Sequence, residues 1–409
     1  MKILYFCPQR VWPLTGGALL RNFHLANALA ARCQVTLLQL THTDDKPDTN
    51  WPATHFTNIL TFERGATYTP SKILRGLLGP MPLSVLNYAS GNVSAKLAAL
   101  LDEQSFDAVQ LESVHLLSYL DVILRNRHRP AVVADWHNVE SELMARYAAR
   151  TANWGKRIVA YRTAHLLERS EQRLLFEAAA HLVVSEREKQ LLKRRSPEAG
   201  IYVVPNGVDT ATLGITAEQR SISTRGRNTL LYVGSMDYHA NVDAVVWFVR
   251  EIWPIVASDF PDLQFTIVGR NPGPQVRALA SHNVQVTGSV DDVRPYYLSG
   301  ETVVVPLRVG SGTRLKILEA MAAGVPVVST SLGAEGLEAV DGVHLLIGNS
   351  PREFASALVR LLRDPALAAR LVDAGKKLVT ERYDWSTLGK RLYEIHSEVY
   401  ARKHLPERN

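Results

Sequence analysis

Short β-branched runs alternate with amphipathic helices twice along these 409 residues. That alternation predicts an α/β chain folded as two Rossmann-like, doubly wound domains. The strand segments are apolar on successive residues, as strands covered on both faces are. Pro205-Asn206-Gly207 and the polar, turn-rich stretch 209–228 divide the alternation in two. A chain of this length also exceeds one ordinary core.

In the first half the expected strands are 2–7, 35–40, 58–62, 107–111, 131–135, 181–185 and 201–204, with helical patterns between them at 18–31 and 92–103. The second half repeats the scheme. Strands are expected at 229–234, 263–269, 284–288, 302–306, 325–330 and 343–348, and helices at 241–258, 291–299 and 314–323. The tail, 383–403, reads as a capped amphipathic helix. Leu388, Leu392, Ile395 and Val399 fall at helical spacing, and Asp384 or Ser386 is the cap. The boundaries that follow are 1–208 for the first domain, completed by 385–409, and 209–384 for the second.

Composition narrows the function classes. Hydrophobic residues at 46% and charged residues at 21% describe a folded chain. The net charge of +6 suits an anionic ligand or an anionic membrane surface and is common among enzymes. Cys7 and Cys33 are the only cysteines and have no metal-binding spacing, which favours a reducing compartment. The N-terminal apolar run is too short for a signal-peptide core and reads as a first buried strand. No stretch approaches the roughly 18–20 apolar residues of a spanning helix. The expected setting is the cytoplasm or the inner face of the membrane.

The stretch VGSGTRLKILEAMAAGVPVVST (309–330) carries the densest chemistry. Glycines let a ligand approach the backbone. The first turn of a helix offers unpaired N–H groups and partial positive charge. Ser311, Gly312 and Thr313 therefore read as a phosphate seat, with Ser311 or Thr313 as N-cap, Leu315 in the first turn, and Arg314 and Lys316 adding charge. Glu319 lies six residues past Thr313, about 9 Å along the axis. It suits a pair of sugar hydroxyls further along a nucleotide. The plainer reading is a loop, solvated cations and an i,i+3 pair between Lys316 and Glu319.

Other segments point the same way. Gly16 and Gly17 follow the first strand. His137 sits in ADWHNVESE (134–142), at the carboxyl end of a buried strand, where open α/β sheets put ligands. Its plainer reading is a half-exposed ring beside a helix capped by Asn138 or Ser141.

The segment LEAMAAGVPVVST resembles the donor-site helix of retaining glycosyltransferases of the GT-B fold, family four, also described as glycosyl transferases group one. PLTGGALLRNFHLANALAARCQVTLL (13–38) resembles that family's opening, and the resemblance covers almost the whole chain. PLRVGSGTRLKILEAMA is similar to a bacterial subgroup found with exopolysaccharide genes. The family pattern is Glu, seven residues, Glu. Glu319 is the second glutamate, and Ser311 stands where the first would be. Relatives also carry an Arg after the glycine of LLYVG and a Lys a few residues later, both on the diphosphate. Here those places hold Ser235, after Gly234, and Asn241.

The resemblance implies a nucleotide-diphosphate sugar donor on the second domain, across the interdomain cleft from a glycan or lipid-linked acceptor on the first. His137, Glu319 and Arg314 would serve catalysis. The diphosphate charge would fall to Arg314 and Lys316, with Arg308 and Arg21 in reserve. Gly269, Arg270 and Gly288 would hold the base. No metal, separate cofactor or nucleic-acid partner is expected. The stretch 71–88, apolar with spaced basic residues, and the long basic helical run 155–175 read either as anionic-lipid contacts or as an ordinary packed loop and exposed helix. The rivals are a sugar-nucleotide epimerase of the same fold, a non-catalytic nucleotide-sugar binder and, further off, an NAD oxidoreductase.

Overall fold

The structure is a computed structural model and describes residues 1–14, 16–42, 51–214, 228–310 and 314–404. The chain forms two compact units, 1–205 with 388–409, and 206–387.

The first unit is built on a seven-stranded parallel sheet. Its strands are β1 (Lys2–Cys7), β2 (Gln34–Thr41), β3 (Asn58–Glu63), β4 (Ala108–Glu112), β5 (Ala131–Asp135), β6 (Ala180–Val183) and β7 (Ile201–Val203), in spatial order β3-β2-β1-β4-β5-β6-β7. β1 and β4 are buried on every residue but Lys2. The strand order reverses between β1 and β4, which pair from Ile3↔Ala108 to Phe6↔Leu111. Such a reversal leaves a crevice at the strands' carboxyl ends.

The second unit repeats this with six parallel strands. They are β8 (Thr229–Val233), β9 (Gln264–Val268), β10 (Val284–Gly288), β11 (Thr302–Val305), β12 (Val327–Ser329) and β13 (Leu346–Ile347), in order β10-β9-β8-β11-β12-β13. Here the reversal falls between β8 and β11. Gly288 ends β10 at φ +77 beside a register shift, a backbone that favours glycine. Gly269 is a packing glycine: a Cβ there would stand 1.8 Å from the Gly234 carbonyl oxygen.

Three elements depart from expectation. The single helix expected over 241–258 is three pieces, His239–Trp247, a π-helical turn Phe248–Ile252, and Trp253–Asp259. Pro254 explains the widened turn, because it lacks an N–H and its ring crowds the preceding turn. The strand expected over 343–348 shrinks to two residues. The helix following Trp136 is capped by neither Asn138 nor Ser141. Its N-cap residue is Val139, and Glu171 supplies the acceptor, taking the Ser141 N–H at 2.8 Å and the Ser141 hydroxyl.

The tail helix Trp385–His404 buries Leu388, Leu392, Ile395 and Val399, and Asp384 accepts the Ser386 N–H at 2.8 Å. Gly389 permits its docking in the first unit: a Cβ there would meet the Ala28 Cβ at 2.3 Å. The buried His396 Nε2 lies 2.7 Å from Gln110 Oε1 on β4.

Candidate functional site

Each unit gathers polar groups at its own sheet reversal. In the first, β4 and β5 are in register so that Glu112 pairs with Asp135. Two strand-ending carboxylates thus lie side by side, both with 0% exposure. Arg21, also fully buried, donates from Nε and Nη2 to Asp135 at 2.9 and 2.7 Å, and from Nη1 to the carbonyls of Val204 and Pro205 at 2.7 and 3.1 Å. His137 donates its backbone N–H to Asp135 Oδ1 at 3.1 Å, and its Nε2 lies 2.8 Å from Glu112 Oε2. Gln110 donates to Glu112 Oε1 at 2.6 Å. Burial works against charge on His137, but Asp135 and the bond to Glu112 outweigh it and raise its pKa.

Glu112, Asp135 and His137 bring three ligand-type atoms within 4.8 Å of one another. They are a poor cation seat. The Arg21 guanidinium carries a fixed positive charge against Asp135, and Glu112 has a protein donor on each oxygen. Arg21, expected as a reserve diphosphate ligand, is instead locked inside this network, a correction that follows from Asp135 ending β5 directly opposite it. Gly16, at φ −167, holds the N-cap position of the helix Gly17–Ala30 with no side-chain cap, and Gly17 opens the helix. A Cβ at Gly16 would meet nothing within 4 Å, so packing does not require this glycine.

The second unit's cluster is cationic. Lys316 reaches from the helix Leu315–Ala322 to donate to Tyr232 Oη and Asn241 Oδ1, each at 2.8 Å. Its ammonium also lies over the Tyr232 ring, 4.4 Å from the centroid. It makes no ion pair with a described residue, and burial together with Arg314 brings its pKa down to about 7. The i,i+3 pair with Glu319 that the plainer reading supposed is not found among the described residues. The half-buried Glu319 accepts from Tyr297 Oη on Oε2 at 2.9 Å.

Gly234 flanks the ammonium, for a Cβ there would sit 3.1 Å from Nζ and 3.0 Å from Asn241 Nδ2. Ser235 is bonded through its carbonyl to Asn241 and through Oγ to Arg270 Nε, both at 2.8 Å. Gly310, at φ +118, brings the loop after β11 against Ala240. Arg314, 5% exposed, is the N-cap residue of the Leu315–Ala322 helix and lies 3.9 Å from Glu335. Ser311, Gly312 and Thr313 lie outside the described residues. Arg308, the other reserve cation, is bound at the surface by Asp243 at 2.6 Å.

Residues 15–212 match the family model described as Glycosyltransferase Family 4, and residues 227–364 match Glycosyl transferases group 1. The chain belongs to these glycosyltransferases. A phosphatidyl-myo-inositol mannosyltransferase of Mycobacterium leprae is 32% identical over 203 residues, which are 48% of this chain and 53% of that protein. The chain spans about half the length of the curated relatives it matches. Among solved structures, sucrose-phosphate synthase from Thermosynechococcus elongatus superposes with a TM-score of 0.72 at 19% identity, covering 98% of this chain and 100% of that one. Anabaena HepE, solved in complex with UDP, gives 0.65 at 16%, covering 97% and 100%. The fold is GT-B.

In this family member, Gly234, Ser235, Arg270, Arg314, Leu315, Lys316 and Glu319 all belong to the second unit, and Gly16, Gly17 and His137 to the first. Gly288 carries no side chain and ends β10 beside Gly269, whose N–H it accepts at 3.2 Å. Sequence reasoning missed Glu112 and Asp135. The available signal was that DAVQLE and AVVAD each close a buried strand on an acid. It also left Tyr232 and Tyr297 out, because tyrosines within apolar runs read as core.

Proposed function

We propose that the chain is a retaining glycosyltransferase that takes a nucleotide-diphosphate sugar on its second unit and passes the sugar to a glycan or lipid-linked acceptor on its first, in polysaccharide or glycoconjugate synthesis. The observation that carries this reading is Lys316. A half-buried ammonium held by two neutral oxygens is electrostatically incomplete, and a diphosphate completes it. Lys316 bonds Asn241, the place from which relatives supply their lysine, so the charge lost there returns from another element. Arg270 does the same beside Ser235. Glu319 has one oxygen on Tyr297 and the other for a ribose hydroxyl. Catalysis then rests on orientation and on stabilising the leaving diphosphate. HepE was solved with UDP, which makes uridine the first base to try.

A thermal-shift panel of nucleoside diphosphates and sugar nucleotides tests the seat. Glu319→Ala should abolish the shift, and Lys316→Met should weaken diphosphates more than nucleosides. The anomeric configuration of the product, read by NMR, tests retention. Donor turnover with no acceptor would replace this reading by the epimerase, and binding without transfer by the passive binder.

For the acceptor side we propose a peripheral contact with anionic membrane. The helix Pro70–Leu78 exposes Leu74, Leu77 and Leu78, and the helix Trp154–Glu177 exposes Trp154, Ile158 and Tyr161. Arg162 ties the two by donating to Gly76 O and Gly79 O at 2.7 Å each. Lys72, Arg75, Lys156 and Arg157 are interleaved, a composition suited to a lipid interface. The name of the mannosyltransferase relative, with a lipid acceptor, agrees with it. Leu77→Glu with Leu78→Glu should abolish co-sedimentation with anionic vesicles, and unchanged sedimentation would refute the contact.

A further inference from the structure

The first unit's buried network carries a charge that its backbone geometry fixes. Glu112 and Asp135 are register partners on adjacent parallel strands, both with 0% exposure. All four carboxylate oxygens have protein partners: Oδ2 of Asp135 takes Arg21, its Oδ1 takes the His137 backbone, Oε1 of Glu112 takes Gln110, and its Oε2 faces His137 Nε2. Asn22, with its amide oriented to suit its neighbours, places its amide nitrogen 2.9 Å from Glu112 Oε2, 3.2 Å from Ala18 O and 3.0 Å from His137 Nε2, where donation to Glu112 and Ala18 is compatible with a protonated ring. Two buried negative charges thus meet one buried guanidinium. One positive charge is missing, and His137 is the group placed to supply it.

The backbone is held in unusual conformations to do this. Ser113, directly after Glu112, has φ +89, and His137, two residues after Asp135, has φ +49. Non-glycine residues in that region carry strain, and such strain gathers where a side chain must be aimed. The aim of Glu112 is set from behind. His396 is neutral, its pKa brought down to about 3 by burial, so its Nε2–H donates to Gln110 Oε1 and turns the Gln110 amide nitrogen toward Glu112. The far nitrogen of the His137 ring, Nδ1, bonds to no described residue, and that side chain is 14% exposed.

We infer that Glu112 is a positioning residue: it fixes the ring of His137 and holds it as the imidazolium, which presents Nδ1–H as a charged donor to the acceptor or donor sugar. The inference rests on the glycosyltransferase reading for what the ring touches, but not for its charge. The groups that face His137 are Glu112, Asp135 and Arg21, with Glu140 on the following helix and His115 after β4. Tyr5 and Cys7 on β1, held protonated by burial and by the same acids, add no charge. His115 is neutral, with its pKa brought down by burial to about 4. Asp135 also favours the charged ring but shares its charge with Arg21, whereas Glu112 meets the ring nitrogen directly at 2.8 Å, so removing Glu112 removes the one acid bonded to it.

The test is an imidazole NMR titration of the full chain. In the wild type the His137 resonances should stay in the protonated form to a pH above the ordinary histidine midpoint. In Glu112→Gln the midpoint should fall by at least one unit, about a tenfold loss of proton affinity. Glu112→Asp should restore it in part. Sugar transfer should decline as pH rises through the His137 midpoint, and that decline should move to lower pH in Glu112→Gln, with kcat lowered and the KM for the sugar nucleotide nearly unchanged. A wild-type His137 already neutral at pH 7 overturns the inference whether or not the variants fold. So does a folded Glu112→Gln that keeps the wild-type midpoint, or a transfer profile that ignores a shifted one. A wild type that transfers no sugar while the titration behaves as described would instead count against the glycosyltransferase reading.

Discussion

The two sheet reversals use charge in opposite ways. At the first, Glu112 and Asp135 are answered by Arg21 and His137, and almost nothing is left over for a ligand. At the second, Lys316 has, among the described residues, two neutral hydrogen-bond partners, Tyr232 and Asn241, and remains one anion short. The same topology thus carries a finished electrostatic structure in one unit and an unfinished one in the other. Breaking the finished cluster should cost stability. Breaking the unfinished one should cost binding.

The largest effect should follow Asp135→Ala. It strands the buried guanidinium of Arg21, and removing one partner of a buried pair costs about 3–5 kcal/mol. Urea denaturation should show the first unit losing most of its stability. Leu392→Ala comes next. It opens a cavity under the tail helix at about 3 kcal/mol and should also loosen Gln110 through His396.

Lys316→Met should leave stability unchanged or slightly raised, since the ammonium has no carboxylate to lose. Diphosphate affinity should fall by about 2 kcal/mol, roughly thirtyfold, while nucleoside affinity holds. Equal stability losses from Asp135→Ala and Lys316→Met would erase the contrast between the units.

The contrast was only partly legible in the sequence. Strands such as 2–7, 131–135 and 302–306 stood out because buried parallel strands carry runs of consecutive apolar residues. Helix 314–323 and Lys316 stood out through local spacing. What was hidden is what register and topology create. No local pattern pairs Glu112 with Asp135, since their juxtaposition depends on β4 lying beside β5. Nor does the sequence tell that Lys316 will meet Asn241, 75 residues away. Arg21 looked available for a phosphate because its acid partner lies 114 residues downstream. Pro254 was visible, but the π turn that absorbs it was not.

Smaller effects sharpen the picture of the second unit. Arg270→Ala should weaken diphosphate binding by about 0.5 kcal/mol, because Arg270 is exposed and shares its charge with Asp237 at 3.7 Å. A loss as large as that of Lys316→Met would move the anion seat toward β9.

The central claim is that an anion completes Lys316, and proton linkage tests it. The lysine's pKa of about 7 without ligand should rise when a diphosphate arrives. Affinity should therefore be full below pH 7 and weaken as pH climbs above it, with protons taken up on binding. Isothermal titration of UDP at pH 8 in buffers of different ionisation enthalpy measures that uptake. The account predicts close to one proton taken up by the wild type and none by Lys316→Met. Equal uptake and equal affinity in the two proteins would contradict it.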